Sequence, residues 1–411
     1  MALTEQSWRK ARVLAGAFLG IGSALSLNSF ILSTFAPYFL TRFGWSKEQW
    51  GWLGMVQMLA IIAIPIAGRV TDLFGVWRTA AIGALSFPLF LVAIAFMDGS
   101  LNSYLWIYVA QTVICSTTTT TVYSRVVAQE FSRNRGLALG VAGAGAPFFG
   151  ALGSPLISAF VRDHGFRSGY LAVAVFCAVS AVLTLWLLRG VESKASLATS
   201  AGRGDGRRDY RDILSRPAFW LLLGATYLVN LPFALAMSQI KLVTAEQGLP
   251  DASTALMVSA LGAASVGGRF LFGFAVDRLK PTRVAAAGFA LPVVGLLLLV
   301  SPYDSFGVVL AAIILIGLAF GSEADVIPVL VTRFFGIRLF STVMGLMTAA
   351  TAAGITSGTV LLSLVLRATD SFNAYLMVAA ATTLVGSMLF LLLGARRFAI
   401  PVVSMVAVPA E

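Results

Sequence analysis

The chain has 411 residues, of which 58% are hydrophobic and only 11% charged, with a formal net charge of +11. Soluble domains carry about 25% charged residues, so this composition excludes a water-covered globular surface. The apolar residues also fall in long unbroken runs instead of the short stripes of a globular core.

A membrane-spanning helix needs roughly 20 apolar residues. Twelve such runs occur, at 12–40, 50–70, 78–97, 104–128, 136–161, 169–189, 217–241, 251–276, 282–301, 306–332, 339–366 and 372–395. Lipid offers no partner to an unpaired backbone group, so each run is expected to be helical. Barrel strands need only about 10 residues. The first run extends well past a signal-peptide core, so no cleaved leader is expected.

In chain order, span one carries Asn28 and Ser29, and span two carries Gln57. Each polar residue near a span centre reads either as an interhelix hydrogen bond or as a ligand. The loop after span two reads GRVTDLFGVWR and contains Gly68, Asp72, Gly75 and Arg78. Span four holds Gln111, then six hydroxyls, Ser116, Thr117, Thr118, Thr119, Thr120 and Thr121, then Tyr123. Those hydroxyls either face a substrate or bond back to carbonyls one turn earlier. Arg125, near the inner end of span four, is expected to snorkel or to meet Glu130 or a loop acid. Span five is dense in Gly and Pro, which permits close helix approach and bending. His164, the only histidine, lies in a short outer loop, so no histidine relay crosses the membrane. Residues 190–216 are polar and without apolar period, and read as a cytoplasmic linker; its basic cluster Arg207, Arg208, Arg211 and Arg216 reads as a solvated, lipid-facing run or, alternatively, as a regulatory or partner site.

In the second half, span seven carries Asn230 and span eight carries Arg269. A buried arginine costs at least about 2.5–3.5 kcal/mol in a span, and normally has a partner or lines a wet path. Its planar guanidinium suits a carboxylate held by two parallel bonds. Arg269 therefore reads as an anion ligand, as one half of a fixed pair with a span-ten acid, or as a snorkelling residue. The acids are Glu323 and Asp325, which point about 200° apart on one helix. Either is a candidate for proton coupling or for an interhelix ion pair. Gly273, Asp277 and Arg278 follow span eight in GFAVDRLKPTR.

That second loop repeats the first at a fixed offset, since 273−68 = 277−72 = 283−78 = 205. The same 205 links Arg133 to Arg338 and Gly140 to Gly345. Duplicated halves of apolar helices are the build of secondary transporters. Of the 29 lysines and arginines, 23 fall on one side if both termini are cytoplasmic, which fixes that orientation. The net charge then reflects this bias and an affinity for anionic headgroups, with no need of nucleic acid. Cys115 and Cys177 lie in apolar runs and give no disulfide framework. No phosphate-binding loop, metal cluster or nucleophile motif occurs, so neither a cofactor nor an enzyme is expected.

Six spans, a polar linker and six spans resemble the major facilitator superfamily over essentially the whole chain. Its conserved loop is similar to GRVTDLFGVWR through Gly68, Asp72, Gly75 and Arg78. Leu73 departs from the base often found there, and the second copy has Lys280 in place of the later glycine. The resemblance implies that Gly68, Asp72, Arg78, Gly273, Asp277 and Arg278 act in gating. A narrower likeness, to the monocarboxylate and oxalate/formate branches, rests on RNRGLALGVAGAGAPFFG, GGRFLFGFAVDR and GLAFGSEADVIPVLVTRFFG. It implies that Arg269 grips a substrate carboxylate. Helpers usual in those branches are absent: span eleven has no lysine, Ser265 stands where an acid precedes the arginine, and span one offers only Asn28 and Ser29.

The expectation is an all-α integral membrane protein of twelve helices in two pseudo-symmetric halves, 1–189 and 217–395, joined by 190–216 and followed by a tail from 396 to 411. Substrate contacts are expected from Arg269, Asn28, Thr117, Thr121, Tyr123 and Asn230. The cargo is expected to be a small organic anion, most simply a monocarboxylate, carried by a monomer with possible proton symport in the plasma membrane (the inner membrane of a bacterium). Efflux of an apolar or amphipathic compound, or a non-transporting sensor, are the alternatives.

Overall fold

A computed structural model of the chain describes residues 2–28, 35, 38–39, 42–45, 56, 58–131, 134–191, 206–233, 251–303, 305–369 and 371–395. Gln57, Ser29, Arg133 and the tail 396–411 lie outside the described residues, as do parts of spans one, two and seven. Among the described residues the secondary structure is helical throughout, without strands.

The first half contains α1 (Ala2–Gly22), α2 (Ala60–Phe74), α3 (Val76–Ala95), α4 (Leu101–Cys115), α5 (Thr120–Glu130), α6 (Arg135–Gly143) and α7 (Gly145–Leu188). The linker holds α8 (Gly206–Ser215). The second half contains α9 (Pro217–Asn230), α10 (Asp251–Arg278), α11 (Pro281–Val300), α12 (Phe306–Phe335), α13 (Phe340–Thr369) and α14 (Phe372–Leu393). Seven stretches among the described residues are long and apolar enough to cross a membrane: Val76–Ala95, Leu156–Leu188, Ser259–Arg278, Pro281–Val300, Phe306–Phe335, Phe340–Thr369 and Phe372–Leu393.

Three sequence expectations change in the structure. Span four is two helices, broken at Ser116–Thr118 by a 3₁₀ turn and by extended backbone at Thr119 (ψ 166°). The cause is local: the hydroxyls of Ser116, Thr117, Thr118 and Thr119 donate to the carbonyls of Val113, Ile114, Cys115 and Ser116, at 2.7–2.9 Å. Such back-bonding competes with the helical ladder. Span five also breaks, at Ala144 between α6 and α7, while α7 kinks at Gly165 (φ 82°) between spans five and six. Third, the linker is not structureless, because α8 buries Ile213 and Asp209 on one face while Arg207, Arg208 and Arg211 are exposed.

The halves meet chiefly through α2 against α13 and α6 against α10. Small residues set both contacts. A side chain on Gly68 would collide with the Ser341 carbonyl, and one on Gly136 with the Gly273 carbonyl. Close backbone approach of this kind is how helices associate where lipid removes the hydrophobic driving force.

The apolar core is distributed unevenly along the bundle. One buried cluster draws side chains from both halves, including Val126, Leu139, Val276, Leu330 and Val343. A second, aromatic cluster around Phe35, Phe39, Tyr104 and Tyr170 belongs to the first half alone. A third, around Leu296, Leu299 and Ile313, belongs to the second half alone. The halves are thus packed together at the end carrying Asp72 and Asp277. Between α2 and α13 a cleft of about 420 Å³ is lined by Met58, Ile61, Ile355, Thr356, Thr359 and Val360.

Candidate functional site

Two layers of polar side chains sit on this frame. The first is a latch where the halves are packed. Asp72, at the end of α2, accepts hydrogen bonds from the Ser341 N–H (3.1 Å), the Thr342 N–H (2.6 Å) and the Thr342 hydroxyl (2.6 Å). Asp277, at the end of α10, accepts from the Gly136 N–H (2.8 Å) and the Leu137 N–H (3.1 Å). In each case a carboxylate of one half caps the first turn of a helix in the other half, where free N–H groups and the helix dipole favour an anion. The arrangement follows the repeat, since 341−136 = 342−137 = 205, the offset of Asp277 from Asp72.

The symmetry is incomplete. Asp72 also forms an ion pair with Arg125, which is 1% exposed. Of the three expectations for Arg125, the loop acid holds, in Asp72; Arg125 does not snorkel, and Glu130 instead pairs with Arg9 at 3.1 Å. The offset places Leu330 opposite Arg125, so Asp277 has no matching cation on α12. Gly75 turns the chain at φ 84°, a conformation that glycine alone adopts without strain. Its counterpart Lys280 is extended (φ −65°, ψ 117°) because Pro281 follows it, which explains why the second copy needs no glycine. Arg78 is exposed, and Arg278 lies over the Phe274 ring at 3.5 Å. Neither is among the residues that bond across the latch.

Beside the latch, α8 adds a polar bridge. Asp209 accepts from Arg69 of the first half and Arg338 of the second, each at 2.7 Å. Burial pushes its carboxyl up, but the two arginines outweigh that and hold it below the usual carboxylate range.

The second layer lies deeper. Arg269 on α10 and Asp325 on α12 face α6, where Gly140 and Gly143 leave room for them. A Cβ on Gly140 would lie 3.1 Å from Asp325 Oδ2, and one on Gly143 would strike Arg269 Nη1. Arg269 Nη1 and both Asp325 carboxylate oxygens are buried without a hydrogen-bond partner among the described residues. Among the described residues no ion pair joins Arg269 to either acid of α12. Glu323 faces elsewhere, as the angular separation on one helix requires. Its Oε1 accepts from Asn230 Nδ2 at 2.9 Å and from the Thr351 hydroxyl at 2.7 Å, joining α9, α12 and α13. Asn230 and Glu323 line a small recess with Pro232, Phe289, Pro292 and Phe320.

The other predicted residues are spread over the first half. Thr121 meets Thr348 across the halves at 3.1 Å. Thr117 is buried and bonds its hydroxyl to the Ile114 carbonyl at 2.8 Å. Tyr123 is fully buried against Gly20 of α1, and its hydroxyl has no hydrogen-bond partner among the described residues. Asn28 is buried at the end of a short 3₁₀ turn, Leu25–Leu27. Gln111 is buried, and neither amide atom is hydrogen-bonded among the described residues. The structure therefore groups Arg269 with Asp325, and Asn230 with Glu323, and does not bring Thr117 or Tyr123 against them. Sequence reasoning missed Thr342, Thr351 and Asp209. The repeat offset carried a signal for Thr342, as the counterpart of Leu137, and none for the other two.

Comparison with known proteins agrees with this architecture. A sequence model described as Major Facilitator Superfamily matches residues 17–359. Monocarboxylate transporter 4 of Rattus norvegicus is 22% identical over 390 residues, covering 92% of this chain and 82% of the relative. The mouse protein of the same name is 22% identical over 394 residues, with the same coverage. Among solved structures, the Escherichia coli fucose:proton symporter superposes with a TM-score of 0.72 at 16% identity, covering 93% of this chain and 98% of that one. A bacterial homologue of the iron transporter ferroportin, in its outward-facing state, gives a TM-score of 0.71 at 17% identity, covering 94% and 100%.

Proposed function

We propose that this chain, which belongs to the Major Facilitator Superfamily, carries a small organic anion, most simply a monocarboxylate, across the membrane by alternating access. The observation that carries the reading is Arg269: a cation between the halves, with a buried Nη1 that no acceptor among the described residues satisfies. A carboxylate entering there gains charge-assisted bonds that the protein leaves open. The likeness to a monocarboxylate transporter supports the same substrate class. Asn230 and Glu323 then define the polar edge of an otherwise apolar recess, which suits an anion with a short apolar body.

The two halves, 1–189 and 217–395, rock about this layer. The lysine and arginine bias puts both termini and the Asp72–Asp277 latch in the cytoplasm, with the basic face of α8 near anionic lipid headgroups. The conformation described here then has its cytoplasmic end latched, with the α2–α13 cleft on the outer side. A negative-inside potential opposes entry of an anion, and proton symport removes that opposition; Asp325, buried beside Arg269, and Glu323 are the acids available for it. One copy holds a whole site, so a monomer suffices.

The test is uptake by proteoliposomes of a panel of labelled mono- and dicarboxylates, with and without an inward proton gradient. Monocarboxylate uptake that rises with the gradient supports the reading, and a panel that is wholly excluded overturns it. The apolar lining of the cleft favours a second reading, efflux of an apolar or amphipathic compound, so such a compound belongs in the panel.

A further inference from the structure

The linker helix α8 lies across the latched end, and its contacts with the two halves differ in kind. It is anchored to the second half. Arg216, which pairs with Asp212 at 2.9 Å, donates to the Phe334 carbonyl at 3.1 Å. Asp209 Oδ1 accepts from Arg338 at 2.7 Å, three residues before the capped Ser341. The other oxygen of the same carboxylate crosses to the first half and accepts from Arg69, also at 2.7 Å. Arg69 adjoins Gly68, the residue at which α2 touches α13. Both Asp209 and Arg69 are largely withdrawn from solvent, with side chains 8% and 15% exposed.

We infer that α8 is a conformational clasp: Asp209 ties Arg69 to the second half while the latch is closed, and must release it each time that end opens. Opening separates α2 from α13, and α8 travels with the second half because Arg216 and Arg338 hold it there. The Asp209–Arg69 bond therefore lengthens with the gate. The clasp is single. The repeat offset carries Arg69 to Phe274, which has no charge to offer a second linker, and a chain of two halves has one linker only. Its effect is to bias the resting population towards the latched form without touching the substrate layer.

The experiment uses the full chain with Cys115 and Cys177 replaced by alanine and spin labels on Leu73→Cys and Leu279→Cys, two exposed positions at the latched end of opposite halves. Double electron–electron resonance without any substrate reads the short (latched) and long (open) distances. Asp209→Asn and Arg69→Gln are each expected to raise the ratio of long to short by about five-fold, the worth of roughly one ion pair. The double variant is expected to shift it no further than either alone, and Arg69→Lys to keep most of the short population. Unchanged distributions in both single variants, or fully additive shifts in the double, overturn the clasp. If Asp209→Asn does not fold, the comparison of Arg69→Gln with Arg69→Lys decides it. No transported compound enters the measurement, so its outcome is independent of whether the cargo is an anion.

Discussion

Arg269, Asp325 and Glu323 show how one turn of helix can hold two acids in different chemistry. Glu323 is satisfied by Asn230 and Thr351 within its own half, whereas Asp325 has no hydrogen bond among the described residues and faces the glycines of the opposite half. Loss of Asp325 and loss of Glu323 should therefore have different consequences. Asp325→Asn is expected to leave exchange of labelled for unlabelled substrate intact while abolishing proton-driven accumulation. Glu323→Gln is expected to weaken substrate binding while retaining the response to a proton gradient. Uptake assayed with and without the gradient separates the two; coupling intact in both variants rejects either acid as the proton site. Arg125 and Asp72 form the other critical pair. Removing one partner of a buried ion pair strands a charge, at about 3–5 kcal/mol. Thermal unfolding of Arg125→Leu in detergent should show that loss, and Asp72→Asn introduced beside it should restore part of the stability. Much of this residue layer was legible in sequence, because charges in apolar spans are conspicuous. A loop acid was among the expected partners of Arg125, but which one was not legible, since Asp72 lies 53 residues away and only the fold brings them together.

At the scale of elements, hydroxyl and glycine chemistry decides where helices start and break. Asp72 and Asp277 each cap a helix that belongs to the other half, so a lost cap both frays a helix and loosens the latch. An N-cap acid exchanged for alanine costs about 1 kcal/mol. Asp277→Ala should therefore raise solvent access to the α6–α10 contact, measured as faster thiol labelling of Val276→Cys, with little loss of overall stability. Asp277 has the Arg135 charge nearby but, among the described residues, no ion pair like that of Asp72 with Arg125, so its removal is milder than that of Asp72. Gly75→Ala, at φ 84°, should destabilise, whereas Lys280→Gly should gain nothing, because the turn before Pro281 is already extended. The spans were readable from apolar run length, but the breaks were not. The hydroxyl run in span four has the composition of a span, and its 3₁₀ turn arises from back-bonding that hydropathy does not register. Likewise the linker α8 is too short and polar to announce itself by run length; its inner face is defined by Arg69 and Arg338, which are distant in sequence.

Across the whole molecule, the repeat and its failures divide the labour. The matched positions, Gly68 with Gly273, Asp72 with Asp277 and Thr342 with Leu137, build a two-fold latch suited to halves that rock. The unmatched ones are Arg125 against Leu330, Arg69 against Phe274 and Arg269 against Ile64, and the proposed function and clasp rest on them. On the proposed reading, the second half carries the charge that reads an anion, while the first contributes Gly140 and Gly143, which leave room beside that charge. Equilibrium binding to the purified chain addresses this directly, by comparing a monocarboxylate with its uncharged amide, which has nearly the same shape. Wild-type protein should bind the carboxylate well and the amide poorly, and Arg269→Ala, with its fold verified by an unchanged melting profile, should lose the carboxylate and with it the distinction. Equal binding of the two ligands by the wild type, or undiminished carboxylate binding by Arg269→Ala, would contradict the assignment of Arg269 as the anion's partner.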